Sequence, residues 1–210
     1  MQIITVVDID SGNLLSIKRS IENFGIKVKI TKDYKELLNS DKIILPGVGA
    51  FGKAIKKLES IGFKDLILEP KFQNIPTLGI CLGMQLLYEK SYEFGLHKGL
   101  GLIKGDIKLL PEFNKKQFKI PSIGWKNLIQ VNNNSDHYGI LKNLTKIDKF
   151  YFVHSFCAYP KDLSNISANY NFDKNLIPAV TVKKNIIGFQ FHPEKSGKSG
   201  LKLINNFLKI

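Results

Sequence analysis

Pro76-Thr77-Leu78-Gly79-Ile80-Cys81-Leu82-Gly83-Met84-Gln85 decides how the rest of the chain is read. A short apolar run over 76–80 ends at a thiol, and a helical pattern over 82–88 resumes at once, which predicts a strand turning directly into a helix. Gly79 and Gly83 on either side permit a tight turn that lifts the thiol clear, as in the nucleophile elbow of hydrolases. Amides at a helix N-terminus favour negative charge, so a thiolate at Cys81 would be stabilised there. The backbone N–H of Leu82 would face the same reacting carbonyl as an oxyanion donor. The same residues are also compatible with a thiol buried as a small apolar side chain.

Outward from this turn, the first two-thirds of the chain alternates short β-branched runs with amphipathic segments of period near 3.6, the pattern of a sheet covered by helices. Strands are predicted over 3–9, 27–30 and 42–45, and helices over 14–24, 34–38 and 50–60, the last with Ala54, Ile55, Leu58 and Ile61 on one face. Beyond Gly99 the pattern changes to strands over 100–110, 125–131, 150–159, 166–170, 179–183 and 186–191, before a closing helix over 201–208. The expected class is α/β with three layers, a mixed and mostly parallel central sheet flanked by helices. Asn132-Asn133-Asn134-Ser135 reads as a polar loop without linker composition. One domain over residues 1–210 is expected.

Composition narrows the function. The chain has 210 residues, a hydrophobic fraction of 43% and a formal charge of +13. Arg19 is the only arginine, and the lysines are scattered rather than blocked, so the arginine fork that reads bases and phosphates is missing and nucleic-acid binding is not expected. A solvated lysine surface that steers an acidic protein partner fits better. No apolar run approaches the roughly 20 residues of a membrane span, and the opening residues lack signal-peptide character, so a cytoplasmic protein is expected. Two cysteines and four histidines without metal-ligand spacing predict neither a disulfide scaffold nor a metal, and no cofactor is called for.

A cysteine nucleophile needs an acid/base partner, and His192 is the candidate, at the end of the run 186–191. In His192-Pro193-Glu194 an extended backbone would project residues i and i+2 to one side, letting Glu194 orient the imidazole. A solvent-facing strand end is the competing reading, and it is the reading given to His97, His137 and His154, with His154 placed near the pocket. Pro46-Gly47-Val48-Gly49 follows another strand end, where freed amides could complete an oxyanion hole or form an ordinary turn. Cys157, in an apolar run without a glycine turn, reads as a packed core thiol.

In this order, Pro46-Gly47-Val48-Gly49, Gly79-Ile80-Cys81-Leu82-Gly83-Met84-Gln85 and His192-Pro193-Glu194 resemble the class I, triad-type glutamine amidotransferases. Leu45 to Phe51, Gly99-Leu100-Gly101, Tyr151 to Ser155 and Gln190 to Gly197 are further similar to the glutaminase subunit of imidazole glycerol phosphate synthase, a resemblance spanning nearly the whole chain. It implies Cys81 as nucleophile, His192 as acid/base and Glu194 as its orienter. It implies an oxyanion hole at Val48, Gly49 and Leu82, and glutamine held near Gly49, Gln85, Glu93, Ser155 and Phe156. Ammonia would pass to a separate (βα)8-barrel cyclase in a heterodimer of histidine biosynthesis, with Asn13, Pro121 and Trp125 at the interface. Competing readings are a paralogue supplying a synthase in surface-sugar amidination, a cysteine hydrolase of other amides or peptides, and a catalytically silent binding subunit.

Two segments depart from the family pattern. Asp8-Ile9-Asp10-Ser11-Gly12-Asn13 carries an acid where the family has glycine, and Pro121-Ser122-Ile123-Gly124-Trp125-Lys126 carries serine where it has histidine. By resemblance both lie near the docking face.

Overall fold

The computed structural model describes residues 2–10, 12–113, 119–131 and 138–210. The Asn132 to Ser135 loop, His137 and Ser11 lie outside the described residues.

The central sheet is built from β1 (Ile4–Val7), β2 (Val28–Thr31), β3 (Lys42–Leu45), β4 (Thr77–Ile80), β9 (Ile129–Gln130), β12 (Ile166–Phe172), β13 (Asn175–Lys183) and β14 (Ile186–Phe189). Its order is β2-β1-β3-β4-β14-β13-β12-β9. The pairs from β2 to β14 are parallel, and those from β14 outward to β9 are antiparallel. The class expected from the pattern is therefore the one observed. β1, β3, β4 and β14 are buried along their whole length, as parallel strands covered on both faces must be.

Helices α1 (Leu14–Glu22) and α6 (Gly197–Leu208) cover one face, where Ile17, Ile21, Leu203, Ile204 and Phe207 join a common apolar core. α2 (Tyr34–Leu38), α3 (Phe51–Ser60), α4 (Phe63–Leu66) and α5 (Leu82–Leu86) share a second core on the other face. In α3 the buried residues are Phe51, Ala54, Ile55 and Leu58, the helical spacing read from the sequence, while Ile61 caps the C-terminus. Burying each large apolar side chain contributes about 1.5–3 kcal/mol. Asp33 caps α2, accepting from the amides of Lys35 and Glu36. Among the described residues no helix is long and apolar enough to cross a membrane.

Three sequence expectations need correction. The helix after Cys81 stops at Leu86, and Tyr88 opens β5 (Tyr88–Ser91), which the reading placed in the helix or left unassigned. Tyr88 is fully buried and pairs with Ile103 of β7 (Ile103–Leu109), so tertiary pairing overrides the helical period. The single strand expected over 150–159 is two, β10 (Lys149–His154) and β11 (Phe156–Pro160), separated at Ser155. β10 pairs with β8 (Ser122–Asn127), whereas β11 joins the small sheet β11-β7-β5-β6 through β7; β6 is His97–Lys98. The strand expected over 125–131 is likewise divided between β8 and β9, because Asn127 turns away to bond the carbonyls of Lys146 and Asp148.

Candidate active site

The candidate site forms at the C-terminal ends of β3, β4 and β14, where chain direction changes and parallel sheets leave a crevice. Cys81 follows β4 with φ 54° and ψ −109°, a left-handed conformation that costs a non-glycine residue about 1–3 kcal/mol. Its amide donates to the Phe189 carbonyl (2.7 Å) and its carbonyl accepts from the Gln85 amide (3.2 Å), which hold the turn. The sequence reading assigned the tight turn to the flanking glycines, but Cys81 itself takes the strained angle. Gly83 serves close packing instead: a Cβ there would lie 1.8 Å from the Leu45 carbonyl oxygen. The elbow is thereby pressed against the end of β3, and the Pro46 to Gly49 loop begins at that contact.

His192 follows the β14 segment, and its amide donates to the Tyr151 carbonyl (2.9 Å) in an isolated antiparallel bridge. Nδ1 lies 2.8 Å from Oε1 of Glu194, and both side chains are at most 3% exposed. Burial alone would lower the imidazole pKa, but Cys81 and Glu194 beside it prevail and raise it to about 10. Nε2 is buried without a hydrogen-bond partner among the described residues, so it remains free toward the thiol. A 3₁₀ turn over Pro193–Lys195, not the extended strand expected, brings Glu194 back to the ring.

Cys81 and His192 open into a cleft of about 410 Å³ that is also lined by Val48, Gly49, Leu82, Gln85, Glu93, Pro121 and Val153 to Phe156. The residues expected for the nucleophile, acid/base, oxyanion hole and substrate binding thus converge, with Glu194 behind the imidazole. Gln85 Nε2 donates to the Phe156 carbonyl (2.9 Å) and Glu93 Oε2 accepts from the Phe51 amide (2.6 Å), which fixes both side chains on neighbouring elements. Gly49 has φ +97°, a backbone that the loop can reach without strain only with glycine.

His154 is a wall of this cleft and not a solvent-facing strand end. Its Nδ1–H donates to the Phe156 carbonyl (2.8 Å), so Nε2 accepts from the Tyr170 hydroxyl (2.8 Å). Burial pushes its pKa down to about 4 and keeps it neutral. Cys157 is fully buried, and burial pushes its thiol up to about 12, in keeping with a packed core cysteine. His97 packs against Gly52, away from the triad. Gln190 escaped the sequence reading as a site residue: it is fully buried and accepts from Gln85 through Oε1 (3.2 Å). An amide within the apolar run 186–191 was the available signal.

The model of the family "Glutamine amidotransferase class-I" matches residues 5–210. The chain belongs to this family. As an amidotransferase it is 40% identical over 213 residues to the "Imidazole glycerol phosphate synthase subunit HisH 1" of Legionella pneumophila (strain Lens), with 100% of each chain covered. It is 42% identical to the HisH subunit of Aquifex aeolicus (strain VF5), covering 96% of this chain and 94% of that one. Among solved structures, PurLQS from Thermotoga maritima matches with TM-score 0.73 at 21% identity over 99% of this chain and 98% of that one. A glutamine amidotransferase crystal structure matches at TM-score 0.70 and 17% identity over 98% and 97% of the two chains. These structures carry the fold alone.

The residues expected at the amidotransferase's docking face have distinct environments. Trp125 is 53% and Ile123 56% exposed on β8, beside Pro121 at the cleft. Asn13 caps α1 without a side-chain hydrogen bond to it. Asp10 adopts φ 55°, which an aspartate tolerates where the family has glycine, and binds Lys57 at 2.5 Å. Lys57 holds the Asp10 carboxyl below its usual range. Ser122 is buried opposite His154 in the β8–β10 pair, so that substitution lies beneath the exposed strand face and not on it.

Proposed function

We propose that this amidotransferase is the glutaminase subunit of imidazole glycerol phosphate synthase, releasing ammonia from glutamine for a separate (βα)8-barrel cyclase of histidine biosynthesis. The observation that carries the reading is the convergence of Cys81 and His192 on one cleft from the ends of two adjacent strands, with Glu194 2.8 Å behind the imidazole.

The Cys81 thiolate attacks the carboxamide carbon of glutamine, whose π electrons move onto oxygen. Leu82 N–H and the Val48–Gly49 backbone stabilise that oxyanion. His192, charged at neutral pH by its two neighbours, gives its Nε2 proton to the nitrogen as the C–N bond breaks, and ammonia leaves a thioester. The neutral imidazole then takes a proton from water, the hydroxide adds to the thioester, and the thiolate departs to yield glutamate. Glu194 accepts from Nδ1–H throughout, which keeps Nε2 directed at the reacting atoms. The Glu93 carboxylate would pair with the substrate ammonium, and Gln85 and the Ser155–Phe156 backbone would bound its other side.

Exposed Trp125 and Ile123 beside the cleft supply the apolar centre of a docking face, and the lysine-rich surface favours an acidic partner. The test is glutamate release with the cyclase recovered by pull-down. Cys81→Ala should abolish it; undiminished release would sink the triad reading. Recovery of a sugar-amidinating synthase in place of the cyclase would reassign the recipient. Failure of a glutamine-analogue alkylator to label Cys81 would favour a silent subunit.

A further inference from the structure

Ser196 stands outside the triad, is 2% exposed, and uses its hydroxyl in both directions. Oγ–H donates to the His192 carbonyl (2.6 Å), and the same oxygen accepts from the Tyr151 amide (3.0 Å). Tyr151 in turn accepts from the His192 amide (2.9 Å), so a closed ring of three hydrogen bonds ties the His192 main chain to one residue of β10. The Lys195 amide also donates to the His192 carbonyl, at 3.1 Å. Ser196 then hands over to α6, where its carbonyl accepts from the Gly200 amide at 3.1 Å.

Both main-chain groups of Tyr151 are thus turned toward His192 and Ser196, away from β8. Opposite Tyr151 on β8 stands Trp125, and a pair that exchanges no backbone bonds brings its side chains closest. The two rings meet edge to face with centroids 5.9 Å apart. One strand, β10, therefore carries the exposed Trp125 contact on one edge and the imidazole's backbone on the other.

We propose that Ser196 is a positioning residue for His192, fixing it to β10 and thereby to the Trp125–Tyr151 face. The proposal rests on His192 being the acid/base of the proposed reaction. A hydroxyl is suited to this because it donates and accepts at once, whereas alanine leaves the half-buried Tyr151 amide without this acceptor. The imidazole faces Cys81 at the start of α5, Glu194 on its own turn, and neutral His154 on β10. A backbone free to drift loosens the contacts to Cys81 and Glu194 that hold its proton, while the substrate-lining groups stay in place.

The experiment measures glutaminase kinetics of Ser196→Ala in complex with the cyclase. Expected are a fall in kcat of about 10- to 100-fold, a glutamine KM within about twofold of wild type, and a shift of the alkaline limb of kcat to lower pH. Unchanged kcat overturns the proposal, as does a loss of kcat without movement of the pH limb, which marks a structural serine. Ser196→Cys, of similar size but with only a weak donor, is read by the same criteria should the alanine variant not fold. His192→Ala runs alongside: if it remains active, the triad reading fails independently of Ser196.

Discussion

Nδ1 of His192 lies 2.8 Å from Oε1 of Glu194, with both side chains almost wholly out of solvent. A carboxylate in this place fixes the tautomer and stabilises the imidazolium as it forms. Glu194→Gln keeps the shape and removes the charge. Its kcat should fall by roughly 10²- to 10⁴-fold by analogy with other triads, with little change in KM. Steady-state glutamate release with the cyclase present measures this, and a loss below tenfold would remove Glu194 from the triad.

Gln85 is anchored at Phe156 and Gln190 and borders the cleft beside Cys81. Gln85→Ala frees the wall that shapes the substrate pocket, while the Phe156 carbonyl keeps its bond from His154. The glutamine KM should rise by about tenfold, the equivalent of one hydrogen bond of about 1–1.5 kcal/mol, with kcat affected less. Titration of initial rates against glutamine separates the two parameters. A selective fall in kcat would instead make Gln85 part of the chemical step.

Gly83 has no room for a side chain, since its Cβ would meet the Leu45 carbonyl oxygen at 1.8 Å. Gly83→Ala must push the elbow away from β3, disturbing Cys81 and the loop that begins at Pro46. A stability loss of more than about 2 kcal/mol is expected in urea unfolding, with near-complete loss of activity in whatever protein folds. Wild-type stability in this variant would contradict the packing described.

His154 holds one proton and is kept neutral, with a pKa near 4 against the ordinary 6.5. Between those values the unfolded chain binds a proton that the folded chain refuses. This residue's contribution to stability is therefore full above about pH 6.5 and is lost progressively as pH falls toward 4. His192 acts in the opposite sense: its pKa is raised to about 10, so its contribution is full below about 6.5 and is lost as pH rises through 10. Urea unfolding at a series of pH values should show a flatter acid side in His154→Gln than in wild type. Parallel acid limbs in the two proteins would show that His154 takes up its proton in the folded state.

Trp125 meets the Tyr151 ring edge to face yet is 53% exposed, so little of the fold depends on its outer surface. Trp125→Ala should weaken transfer of ammonia to the cyclase product while leaving Cys81 open to alkylation by a glutamine analogue. Product formation and labelling, measured on the same preparation, distinguish docking from folding. Loss of labelling as well would mark Trp125 as structural.

Local signals made much of this molecule legible. The apolar runs of β1, β3, β4 and β14 and the 3.6-residue period of α3 are properties of neighbouring residues, so they declare themselves without knowledge of the fold. Cys81 between its glycines and the His192-Pro193-Glu194 triplet stood out for the same reason. Residues 88 and 155 did not. Tyr88 becomes a strand because Ile103 lies beside it, and Ser155 breaks a continuous apolar run because the strands on its two sides pair with different partners.

By itself, then, the order of residues determined the α/β class, the thiol at a strand-to-helix junction and the residue types able to serve it. Only the tertiary structure decided which glycine is required by close approach, that the left-handed strain falls on Cys81, and that Glu194 reaches His192 through a 3₁₀ turn. It also decided that His154 is neutral and that Ser196 closes a ring around the His192 backbone. The physical reason is the same throughout. Propensity and period depend on a few bonded neighbours, whereas burial, hydrogen-bond pairing and proton affinity depend on groups that only folding brings within a few ångströms.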